Sequence, residues 1–585
     1  MIARYRIRTA LVSLLLTNMW CGHTRLFAQD DALALHASAG AAAMAQQNWS
    51  KAEVEYRAAL QLAPGIAELV SNLGLALYFQ KNSKAAADTL EKAIRLDPNL
   101  FVPNLFLGKL RAEQGRSAET VHYLQQCVQL QPKNVLARRL LAQALVSAGE
   151  PERALDELRE ASLLEPRDTE SFYSIARVTM SLASASMEKA AADPVEGLNY
   201  QNLVLARRFE IQGAWQRARA YYLALRQSNA SLPGVSLSFE LGSIALAQGD
   251  AQTAVAEFER AVHAEPQSFR EPRGETLKWN LETIQPALDW LRQSAHESLG
   301  ADLALALVAT GEEKTAAVER FEQKRTLLEQ PMSSDLHGDA VALFEAGNTE
   351  QAAERFRKFV QTHPNDANAA YWLGRFYERM SHEAWQRMIE IQPDSYRVRQ
   401  LTAELDVEEG RTGDAIAHYR EALAIKPGDG QLIFGLGQAY MKDGQAQAAI
   451  DEFQQALTLD SRDAAANLNI ARCYLTLNDP ERSYQFARQA MAIDPTMLAA
   501  HRVLGRTLLI EGRTAEAVAE LEKAAPSDRD GSVHYQIFLG YRKLHETAKA
   551  EAALRRTREL RARNRPVNLD EGTDLSGVSA LSIDR

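Results

Sequence analysis

The sequence predicts an all-α fold, a solenoid of stacked helix–turn–helix units. Three observations predict it. Residues recur 34 positions apart: Gly40, Ala52, Tyr56, Ala59 and Pro64 are echoed by Gly74, Ala86, Leu90, Ala93 and Pro98. Each interval holds two amphipathic stretches of helical period. Most echoes close on a proline, which disfavours helical geometry in the residue before it and so ends the second stretch.

With Gly40 set at position 8 of its unit, the pattern is small at 8 and 20, large and apolar at 24, small at 27, proline at 32. It continues as Gly108, Thr120, Leu124, Cys127 and Pro132, then as Ala142, Ala154, Leu158, Ala161 and Pro166. Small residues at 8 and 20 let the two helices approach closely, and the bulky residue at 24 fills the space beside them. Gly115, Gly149, Gly410, Gly444 and Gly512, all at position 15, support the turn. The echo returns at Ala206/Ala218/Tyr222 and Gly242/Ala254/Phe258/Ala261/Pro266. It resumes at Ala340/Ala352/Phe356/Pro364. Four near-regular units follow, with position 8 at Ala403, Gly437, Ala471 and Gly505, and a last unit spans roughly 532–561. One such hairpin cannot bury its apolar face alone; stacking on neighbours completes the core.

Two units are short. Ala176 reaches its proline, Pro194, in 18 residues, and Gly374 reaches Pro393 in 19, where a regular unit takes 24. Both open alike, Tyr173-Ser-Ile-Ala-Arg177 and Tyr371-Trp-Leu-Gly-Arg375, which suggests a duplicated larger module. The expectation is a shortened hairpin at each, a tolerated deletion that changes the local bend. A second break covers 269–332, where Pro272 and Gly274 interrupt any period. A helix is predicted around Trp279–Arg292 despite Pro286, and a weak unit at Leu305, Gly311, Ala317 and Phe321. The expected domains are 1–28, a signal peptide; 29–268, an N-terminal array; 269–332, a degenerate helical connector; 333–562, a C-terminal array; and 563–585, a disordered tail. One continuous solenoid with a decayed unit is the alternative to two arrays in tandem.

Small, small, large, small and proline at these offsets resembles the tetratricopeptide repeat family over most of the chain. The resemblance implies a right-handed superhelix of helix–turn–helix units, without chemistry of its own, that binds other proteins. It also implies that first helices line a concave groove, with positions 2, 5, 9, 12 and 13 pointing into it. Position 9 then reads Lys109, Arg177, Arg207, Arg375, Arg472 and Arg506, opposed mainly by Glu404. Position 5 adds Tyr173, Phe239, Tyr371 and Phe434. Guanidinium groups offer bidentate contacts to carboxylates, so these ten residues are the candidate partner-binding set, suited to extended or acidic segments. The bland alternative is that the arginines pair with acids on the next unit. The asparagine ladder that some family members use for sugar-transferase substrates is absent: position 6 keeps Asn only at Asn72 and Asn469. The Lys and Asn residues of the chaperone carboxylate clamp do not assemble either.

At the start, Arg4, Arg6 and Arg8 precede an apolar run from Ala10 to Leu16, and Leu26-Phe27-Ala28 is an acceptable cleavage site. This is the layout of a secretory signal, and it places the chain outside the cytoplasm, in a periplasm. Asn18-Met19-Trp20 before Cys21 does not fit a lipid-attachment motif, so an anchor at Cys21 is disfavoured. No other segment is long and apolar enough to span a bilayer, so no stable membrane insertion is expected. The 585-residue chain carries a net charge of −10, which becomes −14 without the four arginines of residues 1–28. An acidic chain is a poor general nucleic-acid binder. Cys127 and Cys473 lie too far apart in a linear stack for a disulfide and read as buried small residues. A basic end (Arg555, Arg556, Arg558, Arg561, Arg563, Arg565) fits a capping helix with cations at its negative terminus.

No catalytic constellation stands up. His-Glu-x-x-His, Cys-x-x-Cys, the phosphate-binding Gly-rich loop and the Gly-x-Ser-x-Gly elbow are all missing. Gly435-Leu-Gly437 sits inside a first helix, and the histidines scatter over different units. The reading is a non-enzymatic scaffold for protein–protein contacts, with no cofactor. The alternatives are an assembly factor of an envelope or polysaccharide export machine, and a hydrolase with an unrecognised site.

Overall fold

The computed structural model describes residues 20–193, 195–228, 230, 232, 235–264, 281–294, 298–325, 348–408 and 410–563. Among them are 28 α-helices and one 3-10 turn. The chain separates into two compact units, residues 1–171 and 172–585.

The first unit holds four helical hairpins: α1 (Trp20–Ala45) with α2 (Trp49–Leu62), α3 (Ala67–Phe79) with α4 (Ser83–Leu96), α5 (Phe101–Glu113) with α6 (Ser117–Leu130), and α7 (Val135–Ser147) with α8 (Pro151–Leu164). The pattern of small and large residues is their packing. Ala52, Ala86 and Ala154 at position 20 are fully buried, as is Leu90 at position 24. A Cβ on Gly74 would lie 2.6 Å from Leu90 Cδ2, so position 8 has room for glycine or, with a slight shift, alanine.

The turns share one geometry. Among the described residues, position 15 is left-handed in eleven hairpins: Gly115, Gly149, Gly213, Gly249, Gly410, Gly444 and Gly512, but also Gln47, Lys81, Asn478 and His545. The next residue donates its N–H back five positions, as from Arg116 to Arg111 O (2.9 Å) and from Asn82 to Leu77 O (3.0 Å). This is a Schellman cap, which satisfies carbonyls that the helix end would leave open. Asn48, Asn82 and Asp479 then cap the second helices with their side chains, and Asn134 and Asp463 cap first helices in the same way.

The second unit contains α9 (Thr169–Ala191, from Phe172 onward), α10 (Gly197–Ile211), α11 (Trp215–Gln227), α12 (Leu237–Ala247), α13 (Ala251–Ala264), α14 (Leu281–Ser294), α15 (Leu299–Val308) and α16 (Gly311–Arg325). After residues 326–347 come α17 (Thr349–Thr362), α18 (Ala367–Ile391), α19 (Tyr396–Glu408), α20 (Thr412–Ile425), α21 (Gly430–Lys442) and α22 (Ala446–Leu459). The unit closes with α23 (Ala464–Thr476), α24 (Pro480–Ile493), α25 (Leu498–Ile510), α26 (Thr514–Ala524), α27 (Ser532–Lys543) and α28 (Thr547–Arg563). The helix expected near Pro286 is α14, and Leu305, Ala317 and Phe321 are buried in the α15–α16 hairpin. There Asp302 is fully buried and paired with Arg320 (2.8 Å) and Lys324 (2.6 Å), which offsets the cost of removing its charge from water.

The short units are not shortened hairpins. Each is one continuous helix, α9 of 23 residues and α18 of 25. The physical reason is the missing stretch itself: it contained position 15, so no left-handed residue stops the first helix. Position 8 is then followed after seven residues by the position-20 residue, Ala183 after Ala176 and Ser381 after Gly374. A straight helix cannot fold back on itself, and the two helices complete each other instead. Ser381 Oγ donates to Ala176 O at 3.1 Å, both buried. A Cβ on Gly374 would lie 2.9 Å from Met187 Cγ and 3.1 Å from Ala183 O. Regular hairpins show the same relation: Gly242 meets Phe258 and Ala254 O, and Gly505 meets Leu521 and Ala517 O.

The division falls at Ser171/Phe172, and α18 and α19 pack on α9. Several sequence expectations fall outside the described residues: the leader up to residue 19, Pro194, Pro266, the Pro272–Gly274 stretch, Ala340, Arg565 and the tail from 564. Cys127 and Cys473 are free and buried, and burial pushes their thiols up to about 12 and about 11. No described helix is long and apolar enough to cross a membrane.

The turn geometry sets opposite signs for two substitutions. A side chain in left-handed geometry costs about 1–2 kcal/mol. Lys81→Gly is therefore expected to stabilise, and Gly444→Ala to destabilise, each by about 1 kcal/mol. Urea unfolding followed by circular dichroism reads both; shifts of the same sign would refute the shared turn.

Candidate functional site

The first-helix residues singled out from the sequence divide into three groups. Tyr173 and Arg177, on α9, face α19. The Tyr173 hydroxyl donates to Glu404 Oε1 at 3.1 Å, and Arg177 pairs with Glu404 Oε2 at 3.7 Å. Arg397 lies over the Tyr173 ring, 4.3 Å from its centroid, and reaches Gln400, which in turn donates to Glu404. Here the opposing acid of the position-9 ladder, Glu404, holds the arginine of another unit.

Tyr371 and Arg375, on α18, occupy the corresponding place on the other long helix. Tyr371 is fully buried between Tyr200 of α10 (5.5 Å between centroids) and Trp372. Its ring packs the core, and Tyr200 also donates to Asn368 Oδ1 at 3.2 Å. Arg375 pairs with Glu378 (2.8 Å) and Arg207 with Glu240 (2.9 Å). Three ladder arginines thus hold acids of this same chain. Phe239 and Phe434 pack on the position-24 rings Phe258 and Phe453.

The remaining cations are half-buried or exposed. Lys109 lies 5.2 Å from the Phe106 ring centroid. Arg472 on α23 is half-buried and Arg506 on α25 is exposed, at the same position of successive units. Sequence reasoning passed over the rings around Lys109. Trp49 stacks on Phe79 (4.6 Å), and Tyr78 and Phe106 meet edge to face (5.0 Å). Phe79 remains exposed. Tyr78 and Phe79 stand at positions 12 and 13, both groove positions, so the signal was present in the repeat numbering.

Burial holds the phenols of Tyr173, Tyr200, Tyr222, Tyr371 and Tyr419 above their ordinary value of 10.0, with the Glu404 charge adding to it at Tyr173 and Tyr419. Among the described residues, no group of three or more His, Cys, Asp or Glu side chains could hold a metal ion.

Two family models described as tetratricopeptide repeat match the chain. One covers residues 38–100, 203–269, 339–379 and 434–497; the other covers 111–177 and 406–446. Together they span just over half of the sequence. No curated protein matches it. Among solved structures, the chain is similar to YrrB, described as a tetratricopeptide repeat protein with an unusual peptide-binding site, at 19% identity, covering 31% of this chain and 93% of that one, with a TM-score of 0.26. It is similar to pilF of Pseudomonas aeruginosa at 14% identity, covering 38% and 90%, with a TM-score of 0.29. It is also similar to a thermophilic tetratricopeptide repeat protein of Thermus thermophilus at 16% identity, covering 28% and 91%, with a TM-score of 0.26.

A raised phenol in the folded state means that folding favours the neutral form. The stability it brings is intact below pH 10 and is lost as pH rises through the raised values. Four of these five tyrosines lie on or beside α9 and α18. The urea midpoint should hold between pH 8 and 10 and fall between pH 10 and 12; a flat profile over that range would contradict it.

Proposed function

We propose that this chain, which belongs to the tetratricopeptide repeat family, is an exported scaffold that holds other proteins along the first helices of its repeats. The observation that carries the reading is the regular succession of hairpins from α19 to α28. It sets equivalent first-helix residues side by side, with Arg472 and Arg506 at the same position of neighbouring units. Repeated cations at a fixed spacing suit an extended segment bearing carboxylates. Arg177, Arg207 and Arg375 bind acids within the chain; the residues placed against the partner are those of the regular run, Arg472 and Arg506, and, in the first unit, Lys109 with its rings. The scaffold works by binding, and any chemistry belongs to what it holds. Its place outside the cytoplasm rests on Arg4, Arg6, Arg8 and the apolar run from Ala10 to Leu16.

The test is a pull-down from envelope extract with the parent protein and with Arg472→Glu/Arg506→Glu, after both show equal helicity by circular dichroism. The partner's Kd should rise about 100-fold or more, since two charge-assisted contacts become repulsive. A partner held equally by both would remove these arginines from the binding face.

A further inference from the structure

The two turnless helices are the feature that a binding scaffold does not explain. We propose that α9 and α18 act as a paired lever that couples two runs of repeats, so that a shift in one run is felt in the other. The inference does not depend on what the scaffold binds.

The geometry that carries it is an exchange. The first half of α9 (172–180) forms a hairpin with the second half of α18 (381–391), through Ala176 and Ser381. The first half of α18 (367–378) forms one with the second half of α9 (183–191), through Gly374, Ala183 and Met187. The neighbours exchange as well. The helix after α18, which is α19, packs on the first half of α9 through Tyr173, Glu404 and Arg397. The helix after α9, which is α10, packs on the first half of α18 through Tyr200, Tyr371 and Asn368. One run is therefore the first half of α9, the second half of α18 and α19 onward. The other is the first half of α18, the second half of α9 and α10 onward.

In a regular solenoid, neighbouring units meet at a surface and each hairpin has its own turn to absorb small movements. Here no turn intervenes. Each rod is about 35 Å of unbroken helix, and each belongs to both runs. A rotation or slide of one half must move the other half. Slack is small at both crossings, because Gly374 lies against a backbone oxygen and Ser381 is hydrogen-bonded to one. Direct polar contacts between the runs are slight by comparison. They include Arg529 with Glu188 (2.6 Å) and Arg208 with Glu408 O (3.5 Å), both exposed.

Hydrogen exchange on the full chain tests this. Met187→Ala removes a contact in one crossing hairpin only. Exchange should quicken about tenfold in 183–191 and 367–378, and also in 172–180 and 381–391. Phe453→Leu, in the regular α21–α22 hairpin, should quicken exchange only in that hairpin and its immediate neighbours. The converse variant, Ala176→Cys with Ser381→Cys, locks the other hairpin once oxidised, and exchange should slow in 183–191 and 367–378. If each variant changes only the hairpin it touches, the two runs are independent and the lever is overturned. If Met187→Ala does not fold, the oxidised cysteine pair decides alone, on the same criterion.

Discussion

Everything in this fold depends on how closely two helices can lie where position 8 of one meets positions 20 and 24 of the next. Glycine or alanine on one side and a small residue with a large apolar neighbour on the other bring the backbones together. Ala52, Ala86, Ala254, Ala449 and Ala517 vanish from solvent, and Leu90, Phe258, Phe453 and Leu521 fill what remains. Close packing of this kind is intolerant of volume change in either direction, which explains why the same residue sizes return at the same offsets along most of the chain. The turn follows from that contact. The hairpin must reverse within a few residues, and a left-handed residue in a Schellman cap does it without leaving a carbonyl open.

The crossing of α9 and α18 shows the same contact surviving the loss of the turn. When the reversing residue is gone, the helix runs straight through, and its two halves still carry the small and large residues that hairpin packing requires. Exposed, those faces would leave apolar surface in water. Pairing α9 with α18 meets both demands at once, and Ala176–Ser381 and Gly374–Ala183–Met187 reproduce the regular spacing of positions 8, 20 and 24 between segments far apart in the sequence. The tyrosines around the crossing, Tyr173, Tyr200 and Tyr371, bind the neighbouring helices to it by ring packing and by hydrogen bonds from the first two.

Local structure was legible where local residues decide it. The hairpins, their proline stops and the glycine turns follow from spacing, and so does the helix through Pro286. Gln47, Lys81 and His545 were less legible, because their left-handed geometry is imposed by the caps around them and not favoured by the residue. The short units stood out in the sequence, but their shared opening pointed to duplication, not to pairing. Contact between distant segments leaves no mark in a repeat period. The candidate site divides on the same line. The ladder arginines could be named from position 9, yet whether each meets a partner or an acid of its own chain depends on stacking. Glu404 against Arg177 and Glu240 against Arg207 are decided there, whereas Glu378 lies three residues beyond Arg375 on the same helix. The rings of Trp49, Tyr78, Phe79 and Phe106 were missed because they gather from three different units and only the fold brings them together.

The claim on which the account turns is that two turnless helices complete each other's hairpins. Spin labels at Ser184 of α9 and Glu378 of α18, both exposed, read it directly by electron–electron dipolar spectroscopy. Packed helices lie about 8–10 Å apart, so the exchanged pairing predicts one narrow distance below about 25 Å. A broad distribution centred beyond about 40 Å, several times that helix spacing, would mean that α9 and α18 do not pair, and the architecture of the second unit would have to be redrawn.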